Sequence, residues 1–298
     1  MIDVAVAGSL HLDIMVTAPR LPALDETLIG SSWGTKCGGK GGNQAVAAAR
    51  FGARTAFGGQ TGADDFGERL RRNLHEAGVD ITNTGIDPAH GSGMSVAITE
   101  VKGEYGAVVV SGANLTIDAA VVRRTWADLW NCRILLLQNE IPEPVSLVAA
   151  QEVKARGGTV VLNAAPARHA GDAFLDLVDV LVVNRVEAAM LSGTEDLALA
   201  LRALHRPARD VVLTRGAEGL SIVTRTGEIF ELSALAVKMV SSHGAGDCFC
   251  GALAARLAAG DELVAACSYA RTAAGLFVSM DEAARTGISD SLVRSRMN

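Results

Sequence analysis

The sequence predicts an α/β protein, with a mainly parallel central sheet between helices and a small β-sheet lid. Short apolar runs alternate along the chain with segments of helical spacing, and two segments in its N-terminal part break that alternation. Repeated strand-then-helix units need crossover connections, which place parallel strands side by side with helices on both faces of the sheet. Hydrophobic residues make up 49% of the 298 residues, so the chain can bury a substantial core.

Six apolar runs are predicted as strands and five segments of helical spacing as helices. The strands are Ile2–Ala7, Thr55–Gly59, Arg133–Gln138, Thr159–Asn163, Val180–Val183 and Val211–Thr214. The helices are Gln44–Phe51, Phe66–Ala77, Val145–Arg156, Val186–Leu191 and Leu197–Leu204. Asn43 is predicted to cap the start of the first helix. Gly52 and Gly78 follow the first two helices and are predicted to end them.

Two segments, at about 12–37 and 93–112, interrupt the strand–helix alternation. Leu12–Cys37 is rich in proline, glycine and threonine, whereas Gly93–Gly112 is typical of a hairpin. In that hairpin, Met94–Val101 and Tyr105–Val110 flank a turn at Lys102-Gly103-Glu104. The two segments are either surface additions or a lid over the strand ends, where open α/β sheets bind ligands. No repeat or linker divides the chain, so residues 1–298 are predicted to form one domain with this lid.

Composition narrows the range of functions. A net charge of −6 argues against a dedicated nucleic-acid binder, which normally carries a basic stripe. The five cysteines are odd in number and form no CxxC pair, so neither a disulfide framework nor a zinc site is indicated. The N-terminus lacks a basic leader, and no uncharged apolar run reaches membrane-spanning length. We therefore expect a cytoplasmic protein with no nucleic-acid or membrane partner.

The stretch Gly244-Ala245-Gly246-Asp247 places small residues before an acid that opens an apolar run typical of a buried helix. Successive small residues let backbone N–H groups point one way, and the positive end of the helix dipole adds to them. The stretch is therefore suited to a phosphoryl group in transfer, with Asp247 placed to accept a proton from an attacking hydroxyl. The alternative is that Asp247 only caps the helix and the glycines form a tight turn.

A second cluster, Cys37–Gly52, puts four glycines around Lys40 in the sequence CGGKGGNQ. Glycines allow the backbone to approach a ligand closely, and Lys40 brings a positive charge to that ligand. The alternative is a flexible loop before a helix, although four glycines are more than a helix cap requires.

Asn184 and Thr214 each end a predicted strand and are candidates for a nucleotide site. Glu187 follows Asn184 within the first turn of a helix, where it can hold a metal-bound water near a phosphate or simply complement the helix dipole. Thr214 and Gly216 lead into a turn that holds nucleotide phosphates or serves only as a turn.

Asp13 and Glu140 are lone acids just beyond two other predicted strands. Either binds the hydroxyls of a small polar ligand or is simply solvated. The usual phosphate fingerprints are missing, since GxxxxGK[ST] is absent and no GxGxxG follows the first strand. The sequence therefore does not support a Walker-type NTPase or a Rossmann dehydrogenase.

Taken together, these stretches resemble the ribokinase (phosphofructokinase-B type) family of carbohydrate kinases from Gly8 to about Val278. GGKGGNQAVAAAR is similar to the family's N-terminal signature and HGAGDCFCGAL to its C-terminal one. LPALDETLIG, NAAPAR and NRVE fall around and between them in the expected order. The resemblance implies a ribokinase-like fold whose lid often also forms a dimer clasp, so a homodimer through the lid is expected. It also implies an ATP-dependent sugar kinase acting on a primary hydroxyl, with D-ribose as the first candidate and ribose 5-phosphate as the product.

The resemblance assigns a role to each matching residue. Asp247 would be the catalytic base, in an anion hole for the γ-phosphate formed by Gly244, Ala245 and Gly246. The sugar hydroxyls would be held by Asp13, Gly39, Lys40, Asn43 and Glu140. The ATP and Mg²⁺ side would be lined by Asn184, Glu187, Thr214, Gly216 and Gly219, with Glu187 toward the metal.

Three stretches depart from the family. His11 stands where the family usually has an Asn that contacts the sugar. Ser241-Ser242-His243 replaces Asp-Thr-Thr, and Ala283-Ala284 replaces a Gly-Ala of the usual potassium-binding loop. K⁺ therefore stays a candidate ligand only if backbone carbonyl oxygens of this loop bind it. The open alternatives are a nucleoside or pseudouridine kinase of the same family, which Lys40 disfavours, and a non-catalytic sugar-binding regulator, which the intact base and anion hole disfavour.

Overall fold

The computed structural model describes residues 1–100 and 105–297, which form strands and helices in alternation. The strands are β1 (Ile2–Ala7), β2 (His11–Ala18), β3 (Ser32–Gly38), β4 (Thr55–Gly62), β5 (Asp80–Asp87), β6 (Met94–Glu100), β7 (Tyr105–Val110), β8 (Cys132–Gln138), β9 (Thr159–Asn163), β10 (Val180–Asn184), β11 (Asp210–Thr214), β12 (Leu220–Val223) and β13 (Ile229–Leu232). The helices are α1 (Lys40–Arg50), α2 (Asp65–Glu76), α3 (Ala119–Thr125), α4 (Glu143–Lys154), α5 (Asp172–Leu175), α6 (Arg185–Ser192), α7 (Leu197–Leu204), α8 (Ala245–Ala258), α9 (Leu263–Ser279) and α10 (Asp290–Ser295).

A large sheet runs in the order β13-β12-β11-β10-β9-β8-β1-β4-β5. Its strands from β11 to β5 are parallel, and β12 and β13 extend one edge in antiparallel fashion. β1 has β4 on one side and β8 on the other, so the chain order reverses direction at this strand. Open α/β sheets bind ligands at such a reversal, outside the carboxyl ends of the strands.

Hydrophobic side chains cover both faces of the large sheet. Successive side chains of a strand point to opposite faces, so Val4 and Val6 join one buried cluster while Ala5 and Ala7 join the other. The first cluster includes residues of α1, α2, α8 and α9, and the second includes residues of α3, α4, α6 and α7. The parallel strands are therefore buried on both faces, as continuous apolar runs predict.

α1 and α8 pack against each other with almost no space between their backbones. A Cβ atom added to Gly251 in α8 would lie 2.5 Å from the carbonyl oxygen of Gln44 and 2.5 Å from the Cβ of Ala47. Only a glycine permits this approach. The close contact brings the first turn of α1 next to the first turn of α8.

A second, four-stranded sheet is formed by the two segments that interrupt the alternation, in the order β3-β2-β6-β7. β2 pairs with β3 and β6 with β7 in antiparallel fashion, whereas β2 and β6 are parallel. The prediction of a small β-sheet besides the large one is confirmed. The predicted turn at Lys102-Gly103-Glu104 lies outside the described residues.

The six predicted strands and five predicted helices are all present, with small shifts at their ends. One helix start was wrong: α1 begins at Lys40 after Gly39, so Asn43 lies inside the first turn and does not cap the helix. The helix can include Gly41 and Gly42 because its first turn is held against the backbone of Gly8 and Ser9. β5 and β13 were not predicted, because exposed positions interrupt their apolar pattern. β12 was not predicted either, since it is buried but only four residues long and includes Ser221.

The five cysteines are free thiols, and all except Cys37 are buried. In the part of the chain described here, no helix combines the length and apolar character needed to cross a membrane.

Candidate active site

The candidate site lies at the carboxyl ends of β1 and β8, where the strand order reverses. Gly8 and Ser9 follow β1, and Asn139 and Glu140 follow β8. The Ser9 hydroxyl donates a hydrogen bond to Oε2 of Glu140, which joins the two strand ends. The backbone N–H of Lys40 donates to the same oxygen at 2.9 Å, so the start of α1 is fixed to this point.

The first turn of α1 is built on close backbone contacts. Gly39 has a φ of +84°, and a Cβ there would lie 2.7 Å from the backbone nitrogen of His11. A Cβ on Gly41 would lie 2.6 Å from the backbone nitrogen of Ser9. These glycines are therefore required by the protein's own packing, which holds Lys40 over the strand ends.

Asp247 lies in the first turn of α8 and is 7% exposed. Its Oδ2 accepts a hydrogen bond from Nδ2 of Asn43, and its Oδ1 accepts one from Nε2 of Gln44, both at 3.0 Å. Gln44 is held in turn by Nε2 of Gln138, which donates to Gln44 Oε1 at 2.8 Å. The residue before α8 is Gly244, and Asp247 caps no backbone group, so the interpretation of Asp247 as a simple helix cap is wrong.

The surroundings of Asp247 make its carboxylate a stronger base than usual. Burial raises its pKa, the positive charge of Lys40 and the amide hydrogen bonds lower it, and the negative charge of Glu140 raises it. Burial is the largest of these effects, and the resulting pKa lies above the ordinary range of an aspartate. A carboxylate that is held by neutral amides, with no ion pair, keeps its capacity to take up a proton.

Two backbone N–H groups at the start of α8 are free to bind an anion. Within the described chain, the N–H groups of Gly246 and Asp247 have no acceptor, whereas the N–H of Ala245 donates to the carbonyl of Ser242 at 3.1 Å. A Cβ on Gly246 would meet no protein atom within 4 Å, so the space beside it is open. Free N–H groups at the positive end of a helix dipole form an anion-binding position.

Seven of the predicted residues line one cavity of about 230 Å³ beside this helix start. They are Lys40, Asn184, Glu187, Thr214, Gly244, Gly246 and Asp247. The Lys40 charge lowers the pKa of both Asp247 and Glu187, so this lysine acts on both acids of the cavity. The cavity thus combines a base, a cation and an anion-binding helix end.

Asn184 and Glu187 form a reciprocal cap at the start of α6. The Asn184 side-chain oxygen accepts from the backbone N–H groups of Val186 and Glu187, and the Glu187 carboxylate accepts from the backbone and side chain of Asn184. Glu187 is 5% exposed, and burial raises its pKa. Among the described residues no group of three or more His, Cys, Asp or Glu side chains could hold a metal alone.

A second group of polar side chains lies around β2 and Glu140. Asp13 accepts a hydrogen bond from the hydroxyl of Ser95 on β6. Nδ1 of His11 lies 3.9 Å from Oε2 of Glu140. His11 is 4% exposed, and its Nε2 has no hydrogen-bond partner among the described residues. A buried polar atom without a partner is unfavourable unless a ligand or water completes it.

Two residues that were predicted to bind the nucleotide do not line the 230 Å³ cavity. Gly216 and Gly219 belong to the turn after β11 and are not among the residues that line it. Gly219 has a φ of +91°, and a Cβ there would lie 2.0 Å from the carbonyl oxygen of Leu232. The fold alone therefore requires this glycine, and its contact with a nucleotide stays a prediction.

Sequence reasoning missed four residues that support the site. Ser9, Gln44, Ser95 and Gln138 hold the carboxylates of Glu140, Asp247 and Asp13 in place, directly or through another side chain. Gln44 and Gln138 are fully buried within apolar segments, and a buried polar residue in such a segment is the signal that could have revealed them.

Comparison with known proteins identifies the family. Residues 1–288 match the pfkB family of carbohydrate kinases. The chain is 33% identical to a ribokinase of Haemophilus influenzae over 92% of this chain and 91% of that protein. It is 30% identical to a deoxyribokinase of Salmonella typhimurium over 85% and 84% of the two chains. The structure of Arabidopsis thaliana ribokinase complexed with ribose and ATP superposes with a TM-score of 0.91, at 26% identity over 99% and 98% of the two chains. The chain belongs to the pfkB family and is a sugar kinase.

Proposed function

We propose that this protein transfers the γ-phosphoryl group of ATP to the primary hydroxyl of a free sugar, with D-ribose as the first candidate. The observation that carries this proposal is the position of Asp247. Its buried carboxylate is held by amides alone and lies beside a helix end with two free N–H groups. Phosphoryl transfer needs little more than a base, a positioned nucleophile and compensation of negative charge.

In the proposed reaction, Asp247 orients the primary hydroxyl and accepts its proton as the sugar oxygen bonds to the γ-phosphorus. The bond between that phosphorus and the bridging oxygen of ADP breaks, and ADP leaves with the electron pair. The raised pKa of Asp247 suits this task, because a carboxylate with a raised pKa binds the proton of the hydroxyl more strongly.

The free N–H groups of Gly246 and Asp247 stabilise the negative charge of the transferring group, and Lys40 adds a positive charge in the same cavity. The empty space beside Gly246 gives the phosphate room that the protein's own packing does not use.

Magnesium fits the residues on the nucleotide side. Mg²⁺ in kinases is held by one or two carboxylates, water and the substrate phosphates, and not by a complete protein cage. Glu187 is a single carboxylate whose buried oxygens are oriented by Asn184 beside the cavity, and it would hold the ion through water. When bound, the ion neutralises charge on the phosphate oxygens.

The sugar hydroxyls are proposed to bind Asp13, Glu140 and His11, with Gly39 and Asn43 beside them. Asp13 and Glu140 are each oriented by a serine, and His11 has a buried nitrogen that still needs a partner. A free sugar offers several hydroxyls that donate to such acceptors. A second candidate is 2-deoxyribose, since a relative at 30% identity is a deoxyribokinase.

We also propose that the four-stranded sheet closes over the sugar and excludes water. Lys36 on β3 forms an ion pair with Glu282, at 3.1 Å between Nζ and Oε1, which links this sheet to the segment after α9.

Several large apolar side chains of the lid region are exposed: Leu24, Ile29, Trp33, Val108 and Val109. Exposed apolar groups of this kind mark association surfaces, and we expect a homodimer through the lid, which light scattering can measure. A cytoplasmic location stays a prediction.

The proposal is tested by a coupled assay of ADP release with Mg²⁺ on ribose, 2-deoxyribose, fructose, adenosine, inosine, uridine and pseudouridine. We expect turnover on ribose, and comparison of the wild type with His11→Asn then shows whether this position decides between ribose and 2-deoxyribose. A preference for a nucleoside would overturn the free-sugar assignment. Sugar binding without turnover on any compound would favour the non-catalytic regulator.

A further inference from the structure

Arg285 carries a buried positive charge and forms no ion pair with a carboxylate of the described residues. It lies in the 3₁₀ turn Ala284–Gly287 that follows α9 and is 6% exposed. In the part of the chain that the structure describes, every hydrogen bond of its guanidinium goes to a backbone carbonyl. An arginine that is buried usually has a carboxylate partner, so this arrangement needs another explanation.

Four carbonyl oxygens converge on this guanidinium from two segments. Nη2 donates to Ser241 at 3.0 Å and Nη1 to His243 at 3.4 Å, both in the loop before α8. Nε donates to Phe277 at 3.0 Å and to Met280 at 3.2 Å, at the end of α9. The carboxyl end of a helix carries a partial negative charge, so the charge of Arg285 is compensated by aligned dipoles.

The same residue supports the loop that leads into the anion-binding helix end. Its guanidinium lies 4.1 Å above the centre of the Phe277 ring. Atoms at the edge of that ring lie 3.4 and 3.5 Å from the place where a Cβ on Gly244 would be. In the same loop, the carbonyl of Ser242 accepts the N–H of Ala245 at 3.1 Å. The position of Gly244 therefore depends on contacts that converge on Arg285.

Potassium, which the family resemblance implies for this loop, does not fit here. K⁺ sites are built from rings of carbonyl oxygens that replace the hydration shell of the ion. The carbonyls of Ser241 and His243 already accept hydrogen bonds from the guanidinium. A second cation close to this fixed charge would also be repelled.

We infer that Arg285 is a built-in cation that positions the anion hole, so that turnover of this kinase does not require a monovalent metal ion. The guanidinium is part of the chain itself and presents several donors in a fixed plane. It therefore provides permanently the charge that an exchangeable ion would provide only when bound. The inference rests on the proposed kinase function and concerns the regulation of the same site.

The first experiment compares ions on the wild-type protein. After exchange into a buffer of organic cations, turnover with the preferred sugar and the melting temperature are measured in KCl, NaCl and tetramethylammonium chloride at equal ionic strength. We expect turnover to agree within about twofold and the melting temperature to be the same in all three salts. Saturable activation by K⁺, or a melting temperature raised by K⁺ alone, would overturn the inference.

The second experiment removes the charge. Arg285→Met is expected to lower kcat at least about tenfold, because free N–H groups of a misplaced anion hole lose their catalytic effect. The KM for the sugar should change little, since Arg285 forms no hydrogen bond with Asp13, Glu140 or His11, the residues proposed to bind the sugar. Arg285→Lys, which keeps a charge, should retain more turnover than Arg285→Met.

Arg209→Met is the matched control. Arg209 is also 6% exposed and donates to the backbone carbonyls of Leu175 and Val178, at another helix end far from the cavity. We expect both methionine variants to melt at lower temperature but only Arg285→Met to lose kcat. Equal kcat in the two variants would overturn the positioning role. The melting data need no turnover, so a failure of the substrate assignment would be recognised separately.

Discussion

The two helices that meet at the active site, α1 and α8, begin alike and use their first turns differently. Each follows a glycine in the left-handed region, with φ of 84° at Gly39 and 82° at Gly244, and neither start has a side-chain cap. At α1 the protein fills the surrounding space, since Cβ atoms on Gly39 and Gly41 would lie within 2.7 Å of the backbone. At α8 a Cβ on Gly246 would meet nothing within 4 Å.

The difference separates two reasons for a glycine in a signature sequence. Gly39 and Gly41 are required by packing between parts of the same chain, and any side chain there displaces the backbone. Neither packing nor backbone angle requires the glycine at position 246, so the missing side chain leaves volume for a ligand. Substitutions of Asp247, Gly246 and Gly41 distinguish a glycine required by packing from a glycine that leaves space for a ligand.

The largest expected effect is that of Asp247→Asn. The amide keeps the size of the side chain and removes the base, so turnover should fall about 10³-fold while sugar binding is retained. Steady-state kinetics and calorimetric titration of the sugar measure the two quantities. Turnover near that of the wild type would remove Asp247 from the role of base.

Gly246→Ala should lower kcat about 10²-fold, because its methyl group would occupy the space assigned to the transferring phosphate. The same change should not destabilise the protein, and alanine in a helix is favoured over glycine by about 1 kcal/mol. Turnover and urea unfolding are measured on the same sample. Unchanged turnover would show that the open volume at α8 is not used by a substrate.

Gly41→Ala, in contrast to Gly246→Ala, should act mainly by destabilising the protein. Its Cβ would lie 2.6 Å from a backbone atom, so we expect the free energy of unfolding to fall by about 3 kcal/mol. Gly52→Ala, just past the end of α1, is the control. Gly52 has a φ of +91° but open space around it, so its loss should be about 1 kcal/mol. If urea unfolding shows the same loss of unfolding free energy in Gly41→Ala and Gly52→Ala, the close backbone contact at Gly41 does not contribute to stability.

The smallest expected effect is a shift in pH dependence. The pKa of Asp247 is raised by burial, so kcat/KM should decline, as the pH falls, at a pH above the ordinary range of an aspartate. Gln44→Leu removes a hydrogen bond that lowers this pKa. The decline of kcat/KM at low pH, the acid limb of the pH profile, should therefore move to higher pH. Gln60→Leu, a partly buried glutamine bonded to Asp87 and Thr116, is the control and should leave the limb in place. A limb that moves to lower pH in Gln44→Leu would contradict the stated cause.

Most of the large sheet could be predicted because its parallel strands are buried on both faces and appear as apolar runs. β13 could not, since this edge strand is largely exposed and shows no apolar run. β12 could not, since it is buried but only four residues long and includes Ser221. Glu140 and Glu187 were recognisable because they follow strands at the edge where ligands bind, and Asp247 because small residues precede it at the start of a helix. Gln44, Gln138 and Arg285 were not, because their importance comes from partners that are distant in sequence.

The bond between Asn43 and Asp247 joins positions 204 residues apart. A ribosome that has synthesised Asp13, Glu140 and the strands up to β13 has still not made Asp247, the proposed base. Every shorter nascent chain therefore lacks the group that would activate a hydroxyl beside ATP. The order of elements along the chain thus places the proposed base after every strand of the large sheet.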